Sequence, residues 1–248
     1  MRESSSLLMI PFLLKKGAII NYYDPSGIKN EFSKYKNLLF CNDINKACSN
    51  VDLVIIHTEW EEFKAIDFKK LFKRKKFKII VNKSTVPVTT GDKIEKIISK
   101  KIRKKMFEVV SNPEFLREGE AIRDFRFPDR IVIGSNNKRA TKKMQSLYDP
   151  LIKKGAKFFS TSRRGAEIIK YASNAFLATK ISYINEIANL CEKTDVNIED
   201  VSIGIGLDQR IGSRFLRAGP AYGGSCFPKD TRAITVTGDQ FKTNLSII

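Results

Sequence analysis

The sequence predicts an α/β protein, with a doubly wound parallel sheet over residues 1 to about 160 and an all-α region built around one long helix. Three observations lead to this prediction. Helix-like and strand-like segments alternate along the first 160 residues. Apolar runs such as VDLVIIHT (51–58) are typical of parallel strands that are buried on both faces. The stretch 164–193 then reads as a single uninterrupted helix.

The elements follow from the apolar periodicity and from turn residues. Gly17 ends a first helix, and Asp24-Pro25-Ser26-Gly27 is a turn signal after a first strand. Strands are predicted at 18–24, 38–43, 51–58, 77–84, in the first part of 107–115, and at 130–135 and 156–162, and helices at 4–16, 60–74, 91–102, 138–154 and 164–193. Along the long helix, Ile169, Phe176, Tyr183 and Ile187 repeat on one stripe, which we interpret as core packing. Residues 194–248 read as short helices and loops.

The charge balance is strongly basic, with 45 Lys and Arg against 27 Asp and Glu and a net charge of +18. Such a balance fits either a nucleic-acid or membrane surface, or the lysine-rich surface of a cytosolic enzyme. The lysines are scattered and not interleaved with aromatic residues, so the second interpretation is favoured and a nucleic-acid partner is not expected.

Membrane insertion, secretion and metal binding are not expected either. There is no run of about 18 apolar residues and no small-residue cleavage site near the start, so a cytoplasmic location is expected. The four cysteines form no Cys-x-x-Cys pair and His57 is the only histidine, which argues against zinc and disulfides. A base in any reaction would therefore be lysine, a carboxylate or water.

The stretch GGSCFPKD (223–230) places a cysteine on a glycine turn. The two glycines allow close approach of a ligand, and Lys229 and Asp230 follow Cys226 within about one helical turn. A thiol, a cation and a carboxylate so close together suggest covalent catalysis. The alternative is a buried structural cysteine beside a helix cap.

Three further stretches hold polar groups with two possible interpretations each. On the long helix, Lys170 and Asn174 share a face and could hold a polarised oxygen, or Lys170 could simply face solvent. In SNPEFLREGEA (111–121), Glu114 and Glu118 could act in acid–base chemistry and the amides of 115–118 could bind an anion, or both carboxylates could complement a helix dipole. In KSTVPV (83–88), the two hydroxyls could meet a ligand at a strand end or could cap a helix.

Together these stretches resemble the UDP-glucose/GDP-mannose dehydrogenase family. The matching segments are KSTVPV, SNPEFLREGEAIRDFRFPDRIVIG, AEIIKYASNAFLATKISYINEI, DQRIGSRFLRAG and YGGSCFPKD, in the family's order and spacing. The resemblance implies a two-step oxidation of a UDP-sugar by NAD, in which the cysteine holds the aldehyde and the resulting thioester is hydrolysed to the uronic acid. UDP-glucose is the favoured sugar nucleotide, and a homodimer through the long helix at 165–193 is implied.

Site residues follow from the matched positions. Those implied in catalysis are Cys226, Lys170, Asp230, Asn174, Thr85 and Glu118. Those implied in substrate binding are Glu114, Phe115, Leu116, Arg117, Glu118, Lys170, Asn174, Arg210, Arg217, Ala218, Gly219, Tyr222 and Gly223. Those implied in cofactor binding are Ser84, Thr85, Val86, Glu118, Cys226 and Lys229, and no metal is implied.

The first 80 residues depart from the family pattern. A complete member begins with a strand and a Gly-x-Gly-x-x-Gly loop, whereas this sequence has no Gly-x-Gly before Gly204. We therefore expect a Rossmann-like sheet without its usual first strand and glycine loop. Residues 1–82 resemble part of the family's UDP-binding domain, 83–162 the second half of its NAD-binding domain, and 163–248 its central helical domain. The chain is then either an NAD-dependent oxidoreductase or a remnant without activity that dimerises or binds a nucleotide sugar weakly.

Overall fold

The computed structural model describes residues 4–57, 66, 67, 71, 76–117, 119–220, 224 and 226–248. The chain divides into two units, residues 1–167 and residues 168–248. Within the described ranges, no helix is both long enough and apolar enough to cross a membrane.

In its described residues, the first unit contains seven strands with helices between them. The strands are β1 (Ile20–Tyr22), β2 (Leu38–Phe40), β3 (Leu53–Ile56), β4 (Lys78–Asn82), β5 (Phe107–Ser111), β6 (Arg130–Gly134) and β7 (Lys157–Thr161). The helices that lie wholly in this unit are α1 (Ser6–Lys15), α2 (Ile44–Ala47), α3 (Thr90–Ser99), α4 (Ala121–Arg126) and α5 (Lys138–Ile152), with 3₁₀ turns at Asn30–Phe32 and Lys104–Met106. Most of the helix predicted at 60–74 lies outside the described residues.

Five strands form one sheet in the order β3-β4-β5-β6-β7. All neighbours are parallel except β5 and β6, which meet antiparallel at the single pair Ser111 and Gly134. The predicted α/β class is confirmed. One detail of the prediction is wrong, because β1 and β2 pair with each other in a separate two-stranded sheet and do not join the other five strands.

The five-stranded sheet is covered on both faces, as a doubly wound sheet requires. Successive residues of β4 point to opposite faces, so Ile80 enters one core cluster and Ile79 enters the other. Helix α3 covers the first cluster with Ile94, and α5 covers the second with Met144. All residues of β4 and β5 are buried, the polar Lys78, Asn82, Glu108 and Ser111 together with the apolar residues between them.

A long helix, α6 (Arg163–Thr194), begins in the first unit, where its first turn is held by charged groups. Glu167 accepts hydrogen bonds from the N–H groups of Thr89 and Gly91, both at 2.8 Å, and from the Ser111 hydroxyl at 3.0 Å. These contacts satisfy amides at the start of α3 that have no partner within that helix. The buried Arg163 pairs with three carboxylates, those of Asp92, Glu95 and Glu108.

The second unit is helical, as predicted. It contains the rest of α6, then α7 (Ile198–Gly206) and α8 (Cys226–Gln240). The interpretation of the α6 stripe as core packing is wrong for Phe176 and Tyr183, which are 65% and 51% exposed. The core side of α6 in this unit instead contains residues such as Ala175, Ala178 and Ile184.

Candidate active site

The candidate nucleophile Cys226 is the first residue of α8. Its side chain is half-buried, which leaves the thiol partly accessible to a ligand. Because the helix begins there, Cys226 and Asp230 lie one turn apart on the same face, as their spacing predicts. Lys229 is exposed, and Tyr222, Gly223 and Ser225 lie outside the described residues.

Asp230 forms a buried contact with the long helix. The Asn174 side-chain amide donates a hydrogen bond to Oδ2 of Asp230 at 2.6 Å, and Asp230 is only 1% exposed. Its second oxygen, Oδ1, is the one buried side-chain polar atom without a hydrogen-bond partner in the part of the chain that the structure describes. Buried carboxylate oxygens are normally satisfied, so this oxygen is ready to accept a hydrogen bond from a water or a ligand.

Lys170 lies one turn before Asn174 on α6 and is buried as well. The alternative of an ordinary solvent-facing lysine is therefore wrong. The structure brings Asn174 and Asp230 into contact, and helical spacing places Lys170 and Cys226 one turn away from these two residues on their respective helices.

A loop within the second unit contacts the first turn of α8. Phe215 has a left-handed backbone conformation (φ 64°), and its ring packs edge-on against Phe227 at a centroid distance of 6.2 Å. A left-handed conformation is unfavourable for a large side chain and persists where surrounding contacts enforce it. The next residue, Leu216, is buried, and its carbonyl accepts a hydrogen bond from Ser202 at 2.6 Å. The loop thus supports the turn that carries Cys226.

The substrate-binding residues predicted near this loop are mostly exposed. Arg210 forms an ion pair with Asp208 at 2.6 Å, and Arg217 faces solvent. Ala218 is half-buried, and the N–H of Gly219 donates to the side chain of Asn185 at 2.9 Å.

In the first unit, the predicted residues lie after the carboxyl ends of β4 and β5. Ser84 and Thr85 are half-buried directly beyond β4, and Val86 is buried. The helix-cap alternative is wrong for both hydroxyl residues, because α3 begins only at Thr90. The carboxyl ends of neighbouring parallel strands are where ligands bind in such sheets.

Glu114 follows β5 and is part of a buried polar network. Its Oε1 atom lies 3.0 Å from the Lys83 ammonium group and accepts a hydrogen bond from the Ser5 hydroxyl at 2.9 Å. Burial alone would raise the pKa of Glu114, but the positive charge of Lys83 and the hydrogen bonds from Lys83 and Ser5 outweigh it and lower that pKa. The helix-dipole alternative is wrong for Glu114, because α4 begins only at Ala121.

The remaining residues of this loop have other partners. The Phe115 ring stacks against the guanidinium of Arg130 at 4.1 Å. Arg117 forms an ion pair with Asp124, and its backbone N–H donates to the same carboxylate at 2.9 Å. That amide is therefore engaged by Asp124, so of the amides of 115–118 that could bind an anion, the one of Arg117 already has an acceptor. Leu116 is half-buried, and Glu118 lies outside the described residues.

Sequence reasoning missed the groups that surround Glu114. Lys83 is buried and lies 3.4 Å from Oδ1 of Asn112 and 3.3 Å from the Tyr148 hydroxyl. A lysine directly after the buried strand β4 was the one available signal, because such a position lies at the ligand-binding edge of a parallel sheet.

Comparison with known proteins identifies the family to which this chain belongs. The model of the NAD binding domain of the UDP-glucose/GDP-mannose dehydrogenase family matches residues 23–152, and that of its central domain matches residues 164–248. The chain belongs to the UDP-glucose/GDP-mannose dehydrogenase family. The NAD-binding match overlaps the segment 1–82, so the assignment of that segment to a UDP-binding domain stays a prediction.

Individual relatives agree with this membership. A UDP-glucose 6-dehydrogenase of Rickettsia typhi is 44% identical, and the match covers 93% of this chain and 54% of the relative. A UDP-glucose 6-dehydrogenase of Rhizobium meliloti is 55% identical, and the match covers 69% of this chain and 40% of the relative. The structure is similar to that of a UDP-glucose dehydrogenase from Pyrobaculum islandicum, with a TM-score of 0.84, 31% identity and coverage of 97% of this chain and 63% of that one. The chain thus spans about half the length of these two sequence relatives.

Proposed function

We propose that this chain acts in the NAD-dependent oxidation of UDP-glucose to UDP-glucuronate, with Cys226 as the covalent nucleophile. The observation that carries the proposal is the buried pair of Asn174 and Asp230, whose open Oδ1 atom lies one helical turn from the residue with the half-exposed thiol. Family membership and the names of the relatives support the substrate and the cofactor.

The cofactor fits the described residues in part. The half-buried Ser84 and Thr85 beyond β4 stand where a parallel sheet binds a ligand, and with the buried Val86 they would hold NAD. The sequence has no Gly-x-Gly before Gly204, so a glycine loop for the pyrophosphate is not among the matched features. When bound, NAD supplies a hydride acceptor, and two NAD molecules would each take one hydride, one in each oxidation.

The protein's groups would do the remaining chemistry. After the sugar's primary alcohol is oxidised to an aldehyde, the Cys226 sulfur adds to the carbonyl carbon and the carbonyl oxygen takes a proton, which yields a thiohemiacetal. Loss of a second hydride and that proton leaves a thioester. A water held by Asp230 then attacks the thioester, which releases the carboxylate and the free thiol. Lys170 and Asn174 would stabilise the oxygen on which negative charge develops.

The alternative is a chain that binds a nucleotide sugar without oxidising it. The lack of a Gly-x-Gly motif before Gly204 favours this alternative, and the complete set of Lys170, Asn174, Cys226 and Asp230 favours catalysis. We expect no turnover by this chain alone, and turnover once a second chain supplies a first strand with its glycine loop.

The experiment follows NADH at 340 nm with UDP-glucose and NAD, with and without such a second chain, and measures UDP-glucose binding by calorimetry. In the complemented protein, two NADH should form per UDP-glucuronate, and Cys226→Ser should abolish uronate formation. A normal uronate yield from Cys226→Ser would show that Cys226 is not the nucleophile. Binding without turnover in either sample would favour the alternative, and absence of both would overturn the proposal.

A homodimer through α6 is the second part of the proposal. Four exposed apolar side chains repeat along this helix at intervals of seven or eight residues, which places them on one stripe: Ile168, Phe176, Tyr183 and Leu190. A long exposed apolar stripe is unfavourable in water and marks an interaction surface. The same stripe on a second copy is its natural complement in a two-fold interface.

A further inference from the structure

The buried ammonium group of Lys83 has a complete set of acceptors. An ammonium has three N–H donors, and three oxygen atoms lie around Nζ of Lys83: Oε1 of Glu114 at 3.0 Å, the Tyr148 hydroxyl at 3.3 Å and Oδ1 of Asn112 at 3.4 Å. These partners come from the loop after β5 and from α5. Lys83 is therefore fixed in one place by groups that are distant in sequence.

The partners of Lys83 are themselves held. The Tyr148 hydroxyl donates to Oδ1 of Asn112, and the Asn112 amide donates to the carbonyl of Val132 at 3.0 Å. The network thus reaches from β4 across β5 to β6. A polar network in which the members are satisfied is rigid, and it determines the position of each charge within it.

Glu114 uses its two carboxylate oxygens differently. Oε1 receives both Lys83 and the Ser5 hydroxyl, whereas Oε2 has no hydrogen bond to any residue that the structure describes. The Glu114 side chain is 24% exposed, so it remains accessible to a ligand. One oxygen is an anchor, and the other is left for a hydroxyl or a water.

We propose that Lys83 is a positioning residue, which anchors Oε1 of Glu114 so that Oε2 is presented to a hydroxyl group of the bound nucleotide sugar. The role of Glu114 at the sugar rests on the proposed function. The hold of Lys83 on Glu114 rests on the described contacts alone.

The charges around Glu114 agree with this role. The titratable groups that face it are Lys83 after β4 and His57 after β3, and Tyr148 on α5 faces Lys83. Burial would lower the pKa of Lys83, but the oxygens of Tyr148 and Glu114 outweigh burial and raise it. Desolvation and then the charge of Lys83 lower the pKa of His57, so His57 is uncharged at neutral pH. Lys83 is then the group that keeps Glu114 ionised.

Lys78 offers a matched control at the other end of the same strand. It is also buried, but its ammonium group donates to the backbone carbonyl of Val51 and not to Glu114, Asn112 or Tyr148. Replacement of either lysine by methionine removes one buried charge from β4. Only Lys83→Met removes the partner of Glu114.

The first experiment measures the ionisation of Glu114 directly. Carboxyl resonances of protein labelled with ¹³C-glutamate are followed against pH, and the Glu114 signal is identified by its loss in Glu114→Gln. We expect the wild-type signal to titrate below the usual range of glutamate, to shift upward in Lys83→Met and to stay in place in Lys78→Met. Identical titration of wild type and Lys83→Met would overturn the proposal. A Glu114 titration midpoint within the usual range of glutamate in the wild type would also overturn the proposal, and this result does not require that Lys83→Met folds.

The second experiment measures binding of UDP-glucose by calorimetry. Since a hydrogen bond to a charged group contributes about 1.5–3 kcal/mol, we expect about 10-fold to 100-fold weaker binding for Glu114→Gln and for Lys83→Met. The double variant should lose little more than either single variant, and Lys78→Met should bind normally. Normal binding by Lys83→Met would overturn the positioning role. If wild type does not bind UDP-glucose, the proposed function fails, while the titration still decides whether Lys83 holds Glu114.

Discussion

Asp230 shows at the scale of one residue how this fold holds a reactive group ready. Its carboxylate is buried, one oxygen is paired with Asn174 and the other is open. A buried oxygen without a donor costs about 1–3 kcal/mol of stability. Such a cost is typical of a site that is completed by its ligand, because the bound water or substrate restores the missing hydrogen bond.

The sequence predicted the members of this pair but not the network around Glu114. Asn174 and Asp230 were identified because the segments that carry them resemble a family. Lys83 was missed because an isolated lysine in a basic chain is normally on the surface. Its burial depends on Asn112 and Tyr148, which lie 29 and 65 residues away in the sequence, so no local pattern reveals it.

Glu167 provides a prediction on pH dependence. Burial raises its pKa, and the hydrogen bonds from Gly91, Ser111 and Thr89 offset this only in part. The folded state therefore binds the Glu167 proton more tightly than the unfolded state. Protonated Glu167 therefore stabilises the folded state in full at pH values below the ordinary glutamate pKa near 4.5. This stabilisation is lost as the pH rises through the raised pKa of Glu167 in the folded protein.

Glu167→Gln has no titrating carboxyl at this position, so the loss of folding stability due to this group as the pH rises should vanish in the variant. Urea unfolding measured at several pH values should show that the stability advantage of wild type over Glu167→Gln shrinks as pH rises through that window. The exposed Glu192 gives the control, since Glu192→Gln should leave the pH profile unchanged. Parallel profiles for wild type and Glu167→Gln would contradict the prediction.

At the scale of elements, the strands that are buried on both faces were the most predictable. β4 and β5 follow from their apolar runs, and the long helix α6 follows from its length and continuity. The partner of a strand is less predictable, because pairing joins distant segments. The three-residue strands β1 and β2 illustrate this, since their sequences do not indicate that they pair apart from the main sheet.

The contact between β6 and the start of α6 depends on Gly134. A Cβ atom at this position would lie 2.7 Å from the Ala166 side chain and 2.8 Å from the backbone at Ser162 and Arg163. We expect Gly134→Ala to destabilise the protein by about 1–3 kcal/mol, because the helix backbone would have to move. Gly204 in α7 has no atom near its would-be Cβ, so Gly204→Ala should be neutral or stabilising by up to about 1 kcal/mol. Equal chemical-denaturation midpoints for the two variants would refute the argument.

At the scale of the whole molecule, the exposed stripe on α6 predicts self-association. Phe176→Asp combined with Leu190→Asp should weaken the dimer by about 30-fold or more, because loss of a well-buried interface anchor costs about 2 kcal/mol or more. Sedimentation equilibrium measures this directly. Glu192→Ala, an exposed change on the same helix outside the apolar stripe, should leave the dimer intact. A monomeric wild type, or an unaffected double variant, would contradict the proposed interface.

The enclosed lysines have a practical consequence for a chain so rich in amines. Reagents that acylate amino groups should modify the many solvent-facing lysines rapidly, while Lys78, Lys83 and Lys170 are shielded by the folded protein. Mass mapping of acylated peptides would therefore distinguish molecules with intact interiors from loosened ones, and would do so separately for the sheet-containing part and the helical part of the chain.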